Sequence, residues 1–391
     1  MRINIKSPVD CCGCTACESI CTHGAIHMKA DELGFLYPQI DNSLCVDCGL
    51  CQKVCKFQGD YIPMGAFEQP NVYGVRHSNE VELTKSQSGA AFWAFAEYLL
   101  SEGYLVYGAG YGKDFHVIHK CVTSIDKCQE LRGSKYVQSD LRGVLKEIKK
   151  NLQLGKKILF TGTPCQVAGL KSYIPQRLQD NLFTIDLVCH AVPSPRLWEE
   201  YVKWVERVNK DKVASFDFRN KKYGWHSYFE TFHLKGKQQE IRRSSFRFFF
   251  LHDHLAVRPS CQNCKFTNLK RPGDLTIGDF WGWEKYHSEW NDNKGISLLL
   301  VNTNKGDELF KRINGKTLCS IQSNTQECLQ PQLIQPIVIS GNQKLFIEEF
   351  VKYGFDYVGK KYADISQWYR IKLFLQLPKR LLRKIVNTIN K

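Results

Sequence analysis

The chain has 391 residues and a formal net charge of +15, and 43% of its residues are hydrophobic and 24% charged. This length predicts two or three domains, and the mean hydropathy of −0.34 is typical of a soluble globular protein rather than a disordered one. No apolar run reaches the roughly 18 to 20 residues of a membrane-spanning helix, which excludes an integral membrane protein. Residues 1–10 lack the apolar core of a signal peptide, so we expect a cytoplasmic protein with reduced cysteines. Much of the positive charge lies in residues 367–391 without a nucleic-acid-binding motif, so no nucleic-acid partner is expected.

Eight cysteines near the N-terminus form two copies of the spacing C-x2-C-x2-C-x3-C. The first copy is Cys11, Cys14, Cys17 and Cys21, and the second is Cys45, Cys48, Cys51 and Cys55. In bacterial ferredoxins with this spacing, the fourth cysteine of each run binds the other of two 4Fe–4S clusters. The sequence therefore predicts two clusters. One binds Cys11, Cys14, Cys17 and Cys55, and the other binds Cys45, Cys48, Cys51 and Cys21.

Other uses of these cysteines fit less well. Zinc sites usually come as two C-x2-C pairs, which leave the third cysteine of each run without a function, and a disulfide knot needs an oxidising compartment. The pattern departs from the usual one because Thr22 and Lys56, rather than proline, follow the fourth cysteines. Cys12 lies outside the spacing and is interpreted as a spare thiol.

The remaining elements alternate between helix and strand. Residues 61–71 are predicted to be a linker, and Ser88 to cap a helix that runs through Leu100. A short strand over 104–107 precedes glycines 108, 110 and 112, which are interpreted as a loop. The next predicted elements are a helix over 140–154, a strand over 157–161, a helix over 165–173 and a strand over 182–188. Pro164 suits the first turn of the helix over 165–173. This alternation predicts an α/β sheet with parallel strands, to which residues 213–247 add antiparallel strands.

Four further cysteines stand where ligands bind in such folds. Cys165 and Cys189 follow two buried strands, at the edge of the sheet where open α/β folds bind ligands, and Cys261-x2-Cys264 lies in a loop. Together they have the number of thiols that one more 4Fe–4S cluster needs. The alternative is that the first two are ordinary buried cysteines and the pair a zinc half-site or redox pair, and the spacing leaves this open. The cysteines without ligand spacing are interpreted as structural: Cys121, Cys128, Cys319 and Cys328.

Several segments resemble one known family. They are 86–89 (SQSG), 132–139 (RGSKYVQS), 161–170 (TGTPCQVAGL), 186–198 (DLVCHAVPSPRLW), 218–225 (FRNKKYGW) and 274–282 (DLTIGDFWG). Between about residues 72 and 335 the chain resembles the flavin-containing beta subunits of the coenzyme F420 hydrogenases and dehydrogenases. One departure is Cys189-His190-Ala191, where the family usually has Cys-His-Gly. The resemblance implies FAD, a third 4Fe–4S cluster on Cys165, Cys189, Cys261 and Cys264, and electron transfer between a ferredoxin-type chain and a hydride-accepting substrate.

The resemblance also implies a set of flavin residues. They are Ser86, Gln87, Ser88, Gly89, Ser134, Lys135, Tyr136, Gly162, Thr163, Gln166, Asp279 and Phe280. Lys135 is expected to place a cation beside the flavin pyrimidine, the alternative being a surface lysine on a turn. Backbone N–H groups of Gly162 and Thr163 are expected at a helix N-terminus, and Asp279 is expected to shape the site or to cap a turn. His190 is a candidate proton donor, the alternative being a structural histidine.

Together these features predict an α+β ferredoxin-like dicluster domain followed by an α/β flavin domain with added antiparallel strands and a C-terminal amphipathic helix. The expected segments are 1–60, the linker 61–71, 72–155, 156–340 and the basic tail 341–391. The leading hypothesis is a ferredoxin-linked iron–sulfur flavoenzyme that reduces a deazaflavin-like, small or lipid-linked substrate. The alternative is a non-enzymatic electron-transfer subunit or a scaffold. Residues 367–391 are expected to lie in a membrane interface, or else to pack on their own domain or on a second copy.

Overall fold

A computed structural model describes residues 2–363 and 365, apart from residues 60, 62, 64, 228, 237–240 and 244. Its helices are α1 Ala16–Ile20, α2 Leu50–Val54, α3 Glu80–Lys85, α4 Ala91–Ser101, α5 Ile125–Cys128, α6 Val144–Gln153, α7 Pro164–Tyr173, α8 Pro195–Asn209, α9 Asn304–Ile313 and α10 Gln343–Tyr362. Its strands are β1 Ile26–Ala30, β2 Leu36–Ile40, β3 Ala66–His77, β4 Leu105–Tyr111, β5 Val117–Val122, β6 Ile158–Gly162, β7 Leu182–Leu187, β8 Val213–Asp217, β9 Glu230–Leu234, β10 Ile241–Arg243, β11 Leu275–Asp279, β12 Ser297–Thr303 and β13 Leu318–Ser323.

The N-terminal domain is a duplicated unit. Each cysteine run turns into a one-turn helix, α1 or α2, whose N-cap residue, Thr15 or Gly49, adopts the left-handed conformation. Strands β1 and β2 form an antiparallel hairpin in which Ile26 pairs with Ile40. The α+β ferredoxin-like dicluster domain predicted from the sequence is therefore present.

The second domain is built on an eight-stranded mixed sheet in the order β13-β3-β12-β11-β7-β6-β4-β5. Four adjacent strands run parallel: β4 pairs with β6, β6 with β7 and β7 with β11. Antiparallel pairs extend the sheet on both sides, through β5 on β4 and through β12, β3 and β13 beyond β11. The predicted α/β sheet is confirmed. Because β3 runs antiparallel to β12 and β12 antiparallel to β11, the carboxyl ends of β3, β4, β6, β7 and β11 meet at one edge.

Four local predictions need correction. Strand β3 begins at Ala66, inside the expected linker, and pairs with both β12 and β13. Gly108 and Gly110 belong to β4 rather than to a loop, since they pair with Lys120 and Ile118 of β5. The N-cap position of helix α4 is Ala90 rather than Ser88. Both residues adopt a left-handed backbone, and no side chain caps the helix. Strands β8, β9 and β10 form a separate three-stranded sheet instead of joining the main one.

The two domains share a hydrophobic core. Cys17 and Ile26 of the dicluster domain pack in one cluster with Leu145 and Ile148 of α6 and Val167 of α7. This packing holds the cysteine runs against the face of the sheet that α6 and α7 cover. None of the helices in the described part of the chain is long and apolar enough to cross a bilayer. The expected tail helix over 367–391 lies outside the described residues.

Candidate iron–sulfur and flavin sites

Two cavities in the dicluster domain are lined by cysteines from both runs. The first brings Cys21 to Cys45, Cys48 and Cys51, and the second brings Cys55 to Cys11, Cys14 and Cys17. The empty space in them, including the part open to solvent, is about 370 Å³ and about 300 Å³. This is the crosswise grouping that the spacing predicts, and Cys12 also lines the second cavity.

Around the second cavity Cys11 and Cys17 are buried and Cys14 and Cys55 half-buried, and this affects the protonation of Cys17 and Cys55. Burial raises the pKa of Cys17 well above its usual value and that of Cys55 to about 11. A neutral thiol is therefore favoured there until coordination to iron removes the proton. Within the described residues, no three His, Cys, Asp or Glu side chains are grouped closely enough to hold a single metal ion.

The third set of cysteines also converges. Cys165 begins α7 directly after β6, where its Sγ lies 3.2 Å from Thr163 Oγ1, and Cys189 follows the neighbouring strand β7. Burial raises the pKa of Cys189 well above its usual value, and the next largest causes are the charges of Cys261, Cys165 and Cys264. All four sulfurs thus lie within electrostatic reach of one another at the carboxyl edge of the sheet.

Cys12, which the spacing left without a role, lies between two of these cysteine sets. Cys12 is buried in one cluster with Phe57 and Phe266, and Cys14 of the dicluster domain and Cys165 of the third set pack against this cluster. The neighbouring Cys12 thiol lowers the pKa of Cys165 to about 7 against the opposing effect of burial. The third set and the cavity of Cys11, Cys14, Cys17 and Cys55 therefore adjoin the same small cluster of buried side chains.

Four of the expected flavin residues meet in a polar cluster that the sequence analysis did not identify as such. Gln87 donates to Asp217 Oδ1 at 3.3 Å and to the Arg219 carbonyl, and Arg219 forms an ion pair with Asp279. Burial raises the pKa of Tyr136, on which the charges of Arg219 and Asp279 also act, whereas Ser134 is exposed. Arg219 was present in the quoted segment 218–225, but its pairing with Asp279, 60 residues away, is not visible from spacing.

Lys135 belongs to the same cluster and is not a surface lysine. It is half-buried, and its Nζ donates to the carbonyls of Glu130 at 3.1 Å and Arg132 at 2.8 Å and lies 5.7 Å from the centre of the Tyr111 ring. Burial lowers its pKa to about 7, against the opposing charge of Asp217. A lysine with this pKa changes its charge near neutral pH.

Other expected flavin residues use their polar groups elsewhere. The Thr163 N–H donates to Gln166 Oε1 at 3.0 Å in a capping box, and Gln166 Nε2 donates to Ser139 Oγ at 3.0 Å. Ser88 Oγ donates to the Ile296 carbonyl, and the Gly89 N–H donates to Ser297 Oγ at 2.8 Å. These contacts help to hold α7 and the segment before α4 in place, and the role of these residues at a flavin stays a prediction.

Gly162, Phe280 and His190 are each closely packed against other residues of the protein. A Cβ on Gly162 would stand 3.0 Å from the Phe160 ring, and Phe280 is buried in an apolar cluster with Trp225. His190 Nε2 lies 2.8 Å from His254 Nε2, and burial lowers the pKa of His190 to about 4. A histidine with that pKa is neutral at physiological pH, which disfavours its expected role as proton donor.

A few buried polar atoms near the expected flavin segments have no hydrogen-bond partner among the described residues. They are Ser86 Oγ, Arg132 Nε and Nη1, and Trp93 Nε1. The Arg132 guanidinium lies 3.7 Å from the centre of the Trp93 ring, and its Nη2 pairs with Glu82, four residues before Ser86. Buried donors of this kind are normally satisfied, so these atoms fit a bound group that accepts hydrogen bonds.

Comparisons with known proteins match both parts of the chain. Residues 155–327 match the family model for the C terminus of the beta subunit of coenzyme F420 hydrogenase/dehydrogenase, and residues 10–58 match the 4Fe–4S dicluster domain. One subunit of the F420H2 dehydrogenase of Methanosarcina mazei is 19% identical over 223 residues, which are 54% of this chain and 63% of that protein. The chain thus spans less than two thirds of that relative.

Among solved structures, a chain of the F420-reducing NiFe hydrogenase complex from Methanosarcina barkeri is similar, with 16% identity and a TM-score of 0.46. The match covers 77% of this chain and 93% of that one. The two family matches confirm the resemblance predicted from the motifs. The protein therefore combines an N-terminal segment that matches the 4Fe–4S dicluster domain with a segment that matches the C terminus of the coenzyme F420 hydrogenase/dehydrogenase beta subunits.

Proposed function

We propose that the protein is an iron–sulfur flavoenzyme that moves electrons between 4Fe–4S clusters, FAD and a hydride-accepting substrate. The observation that carries this proposal is the convergence of Cys165, Cys189, Cys261 and Cys264 next to the dicluster domain. The four thiols match the ligand set of one more 4Fe–4S cluster. Because Cys14 and Cys165 pack against the same buried cluster as Cys12, the cysteine sets form a series from the surface to the sheet edge.

The polar cluster around Arg219 supports a flavin site. FAD accepts electrons one at a time and releases two together, so it links cluster chemistry to hydride chemistry. Gln87, Lys135 and Tyr136 are the residues we assign to the isoalloxazine ring, with Lys135 as the cation for the reduced ring. Ser86 and Arg132, whose buried polar atoms lack partners among the described residues, are assigned to the phosphates.

The substrate is proposed from the name of one relative. The Methanosarcina mazei protein is named as part of an F420H2 dehydrogenase, which favours a deazaflavin over a small or lipid-linked metabolite. The proposed electron partner is a ferredoxin or another electron-transfer protein. That relative is also called a subunit, and this favours a second candidate function, in which the chain serves electron transfer inside a larger complex and a partner holds the substrate site.

The test is the iron and flavin content of the full chain purified without oxygen. Three 4Fe–4S clusters require about twelve irons per chain, with one FAD. The double variant Cys261→Ser/Cys264→Ser should retain about eight irons and the signals of the dicluster domain. The matched control is Cys121→Ser/Cys319→Ser, which removes two cysteines outside all three sets and should keep about twelve. A wild-type protein with about eight irons that the Cys261/Cys264 variant leaves unchanged would refute the third cluster, and flavin-free protein would refute FAD.

A further inference from the structure

Arg258 is fully buried between the dicluster domain and the third cysteine set. Its side chain is 1% exposed, and its Nε donates to the Cys11 carbonyl at 2.7 Å. Nη1 donates to Gln138 Oε1 at 2.8 Å, and Gln138 Nε2 in turn donates to the Cys12 carbonyl at 2.9 Å. On the other side, the Cys261 N–H donates to the Arg258 carbonyl at 3.0 Å. One residue thus joins the first cysteine run to the C-x2-C loop.

Among the described residues Arg258 has no carboxylate within ion-pair distance, although its charge interacts with that of Asp31. Arg271, equally buried, pairs with Asp186 at 2.6 Å, whereas no ion pair in the described part of the chain includes Arg258. Its guanidinium is instead surrounded by carbonyls and by the rings of Phe35 and Tyr37, at 5.4 and 4.4 Å from the ring centres. A buried charge without a countercharge is strongly unfavourable.

The largest charge interaction of Arg258 is with the sulfur of Cys11, followed by that with Tyr37. The groups whose charges act on it include Cys11, Cys12 and Cys261, and its own charge acts on Cys14 and Cys165. Cys11 and Cys14 line the second dicluster cavity, and Cys165 and Cys261 belong to the third set. The cation therefore faces ligands of two different cysteine sets at once.

We propose that Arg258 is the shared countercharge of the cluster on Cys11, Cys14, Cys17 and Cys55 and of the third cluster, and that it raises the reduction potential of both. Reduction adds negative charge to a cluster, and a fixed cation nearby favours the reduced form because net charge is one of the factors that set such potentials. For the third cluster this inference rests on the proposed function, and for the dicluster domain it does not. The cluster on Cys21, Cys45, Cys48 and Cys51 lies in a separate cavity and serves as an internal reference.

The test is an anaerobic redox titration of the full chain, followed by electron paramagnetic resonance. Arg258→Gln should shift the potentials of the two facing clusters to lower values and leave that of the reference cluster unchanged, and Arg258→Lys should restore most of the shift. Lys265→Gln is the matched control, since it removes an exposed cation next to Cys264, where water screens the charge. Unchanged potentials in an Arg258→Gln protein with full iron content would overturn the proposal.

A second variant applies if Arg258→Gln does not fold. Gln138→Glu keeps the guanidinium and places a carboxylate at the position of the amide oxygen that now lies 2.8 Å from Nη1. The new carboxylate should neutralise Arg258, so the reduction potentials of the two facing clusters should fall while the iron content is retained. Unchanged potentials would overturn the proposal here as well. A wild-type protein with only about eight irons would refute the third cluster, while the shift at Cys11, Cys14, Cys17 and Cys55 would still test Arg258.

Discussion

Replacement of Gly169 by alanine should damage the second dicluster cavity from within the other domain. Gly169 lies in α7, and a Cβ at this position would stand 2.7 Å from Sγ and 2.8 Å from Cβ of Cys14. The Cβ of Cys14 is attached directly to the backbone of the cysteine run, so it cannot rotate away as a long side chain would. Either α7 or the run that carries Cys14 must move.

Two opposing contributions decide the sign of the effect. In an exposed helix interior, Gly→Ala stabilises by about 1 kcal/mol because alanine loses less conformational entropy. Overpacking a close contact costs about 1–3 kcal/mol, and a contact with a rigid neighbour belongs at the upper end of that range. We therefore expect Gly169→Ala to lower the free energy of unfolding by about 2 kcal/mol. The displaced Cys14 should also weaken iron binding at this cavity.

Iron content and thermal unfolding of anaerobically purified protein measure both effects. Gly169→Ala should lose iron from the cavity of Cys14 while the cavity of Cys48 keeps its own. Gly59→Ala is the matched control, because its Cβ would meet nothing nearer than the Cys55 carbonyl oxygen at 3.6 Å, an ordinary contact distance. A Gly169→Ala protein with full iron content and an unfolding temperature at or above that of wild type would refute the reasoning.

Three further predictions concern charged groups. The carboxylates of Asp140 and Glu199 raise the pKa of His116 to about 9, so its stabilisation is complete below its usual pKa of about 6.5 and is lost as the pH rises through 9. His116→Gln should therefore be less stable than wild type by about 1 kcal/mol near pH 6 and equally stable near pH 10, and an unfolding difference that does not change with pH would contradict this. Lys135→Met should lower the flavin reduction potential by an equivalent of about 1–3 kcal/mol, more at pH 6 than at pH 9, and equal potentials in a spectroscopic titration would remove Lys135 from the flavin site. A chain ending at Ser366 should sediment less with anionic liposomes at low salt than the full chain; equal partitioning would end the membrane hypothesis, and loss of a dimer would favour packing on a second copy.

Patterns of short range predicted much of the fold and of the cysteine sites. The crosswise cysteine sets follow from spacing within each run, and the edge position of Cys165 and Cys189 follows from two apolar strands that each end at a cysteine. The capping box between Thr163 and Gln166 was also readable, since Thr-x-x-Gln before an apolar run is its signature. This local pattern gives Thr163 and Gln166 a role at the start of α7 that does not require a flavin.

Contacts between residues far apart in the chain could not be predicted from the sequence. Arg258 reaches the Cys11 carbonyl across 247 residues and Gln138 across 120, and no local pattern indicates either contact. Only an arginine three residues before a C-x2-C pair was visible. The pairing of Arg219 with Asp279 could not be predicted for the same reason, because Arg219 follows β8 of the small sheet and Asp279 ends β11 of the main sheet, 60 residues away.

The two copies of the cysteine run differ in a way that the duplication alone does not explain. Cys12 and Gly13 of the first copy correspond, at the offset of 34 residues, to Val46 and Asp47 of the second. Cys12 is buried against the other domain, and Gly13 leaves room for Arg258, whose Nη1 would lie 2.7 Å from a Cβ there.

In the second copy, by contrast, Val46 is 59% exposed and the neighbouring Cys48 is also exposed. Small residues therefore stand where the first copy packs against the sheet domain, and larger or charged residues stand where the second copy meets solvent. This asymmetry gives the dicluster domain an outer and an inner cavity. An external electron-transfer protein would meet the cavity of Cys48 first, and Arg258 stands where the inner cavity adjoins the third cysteine set.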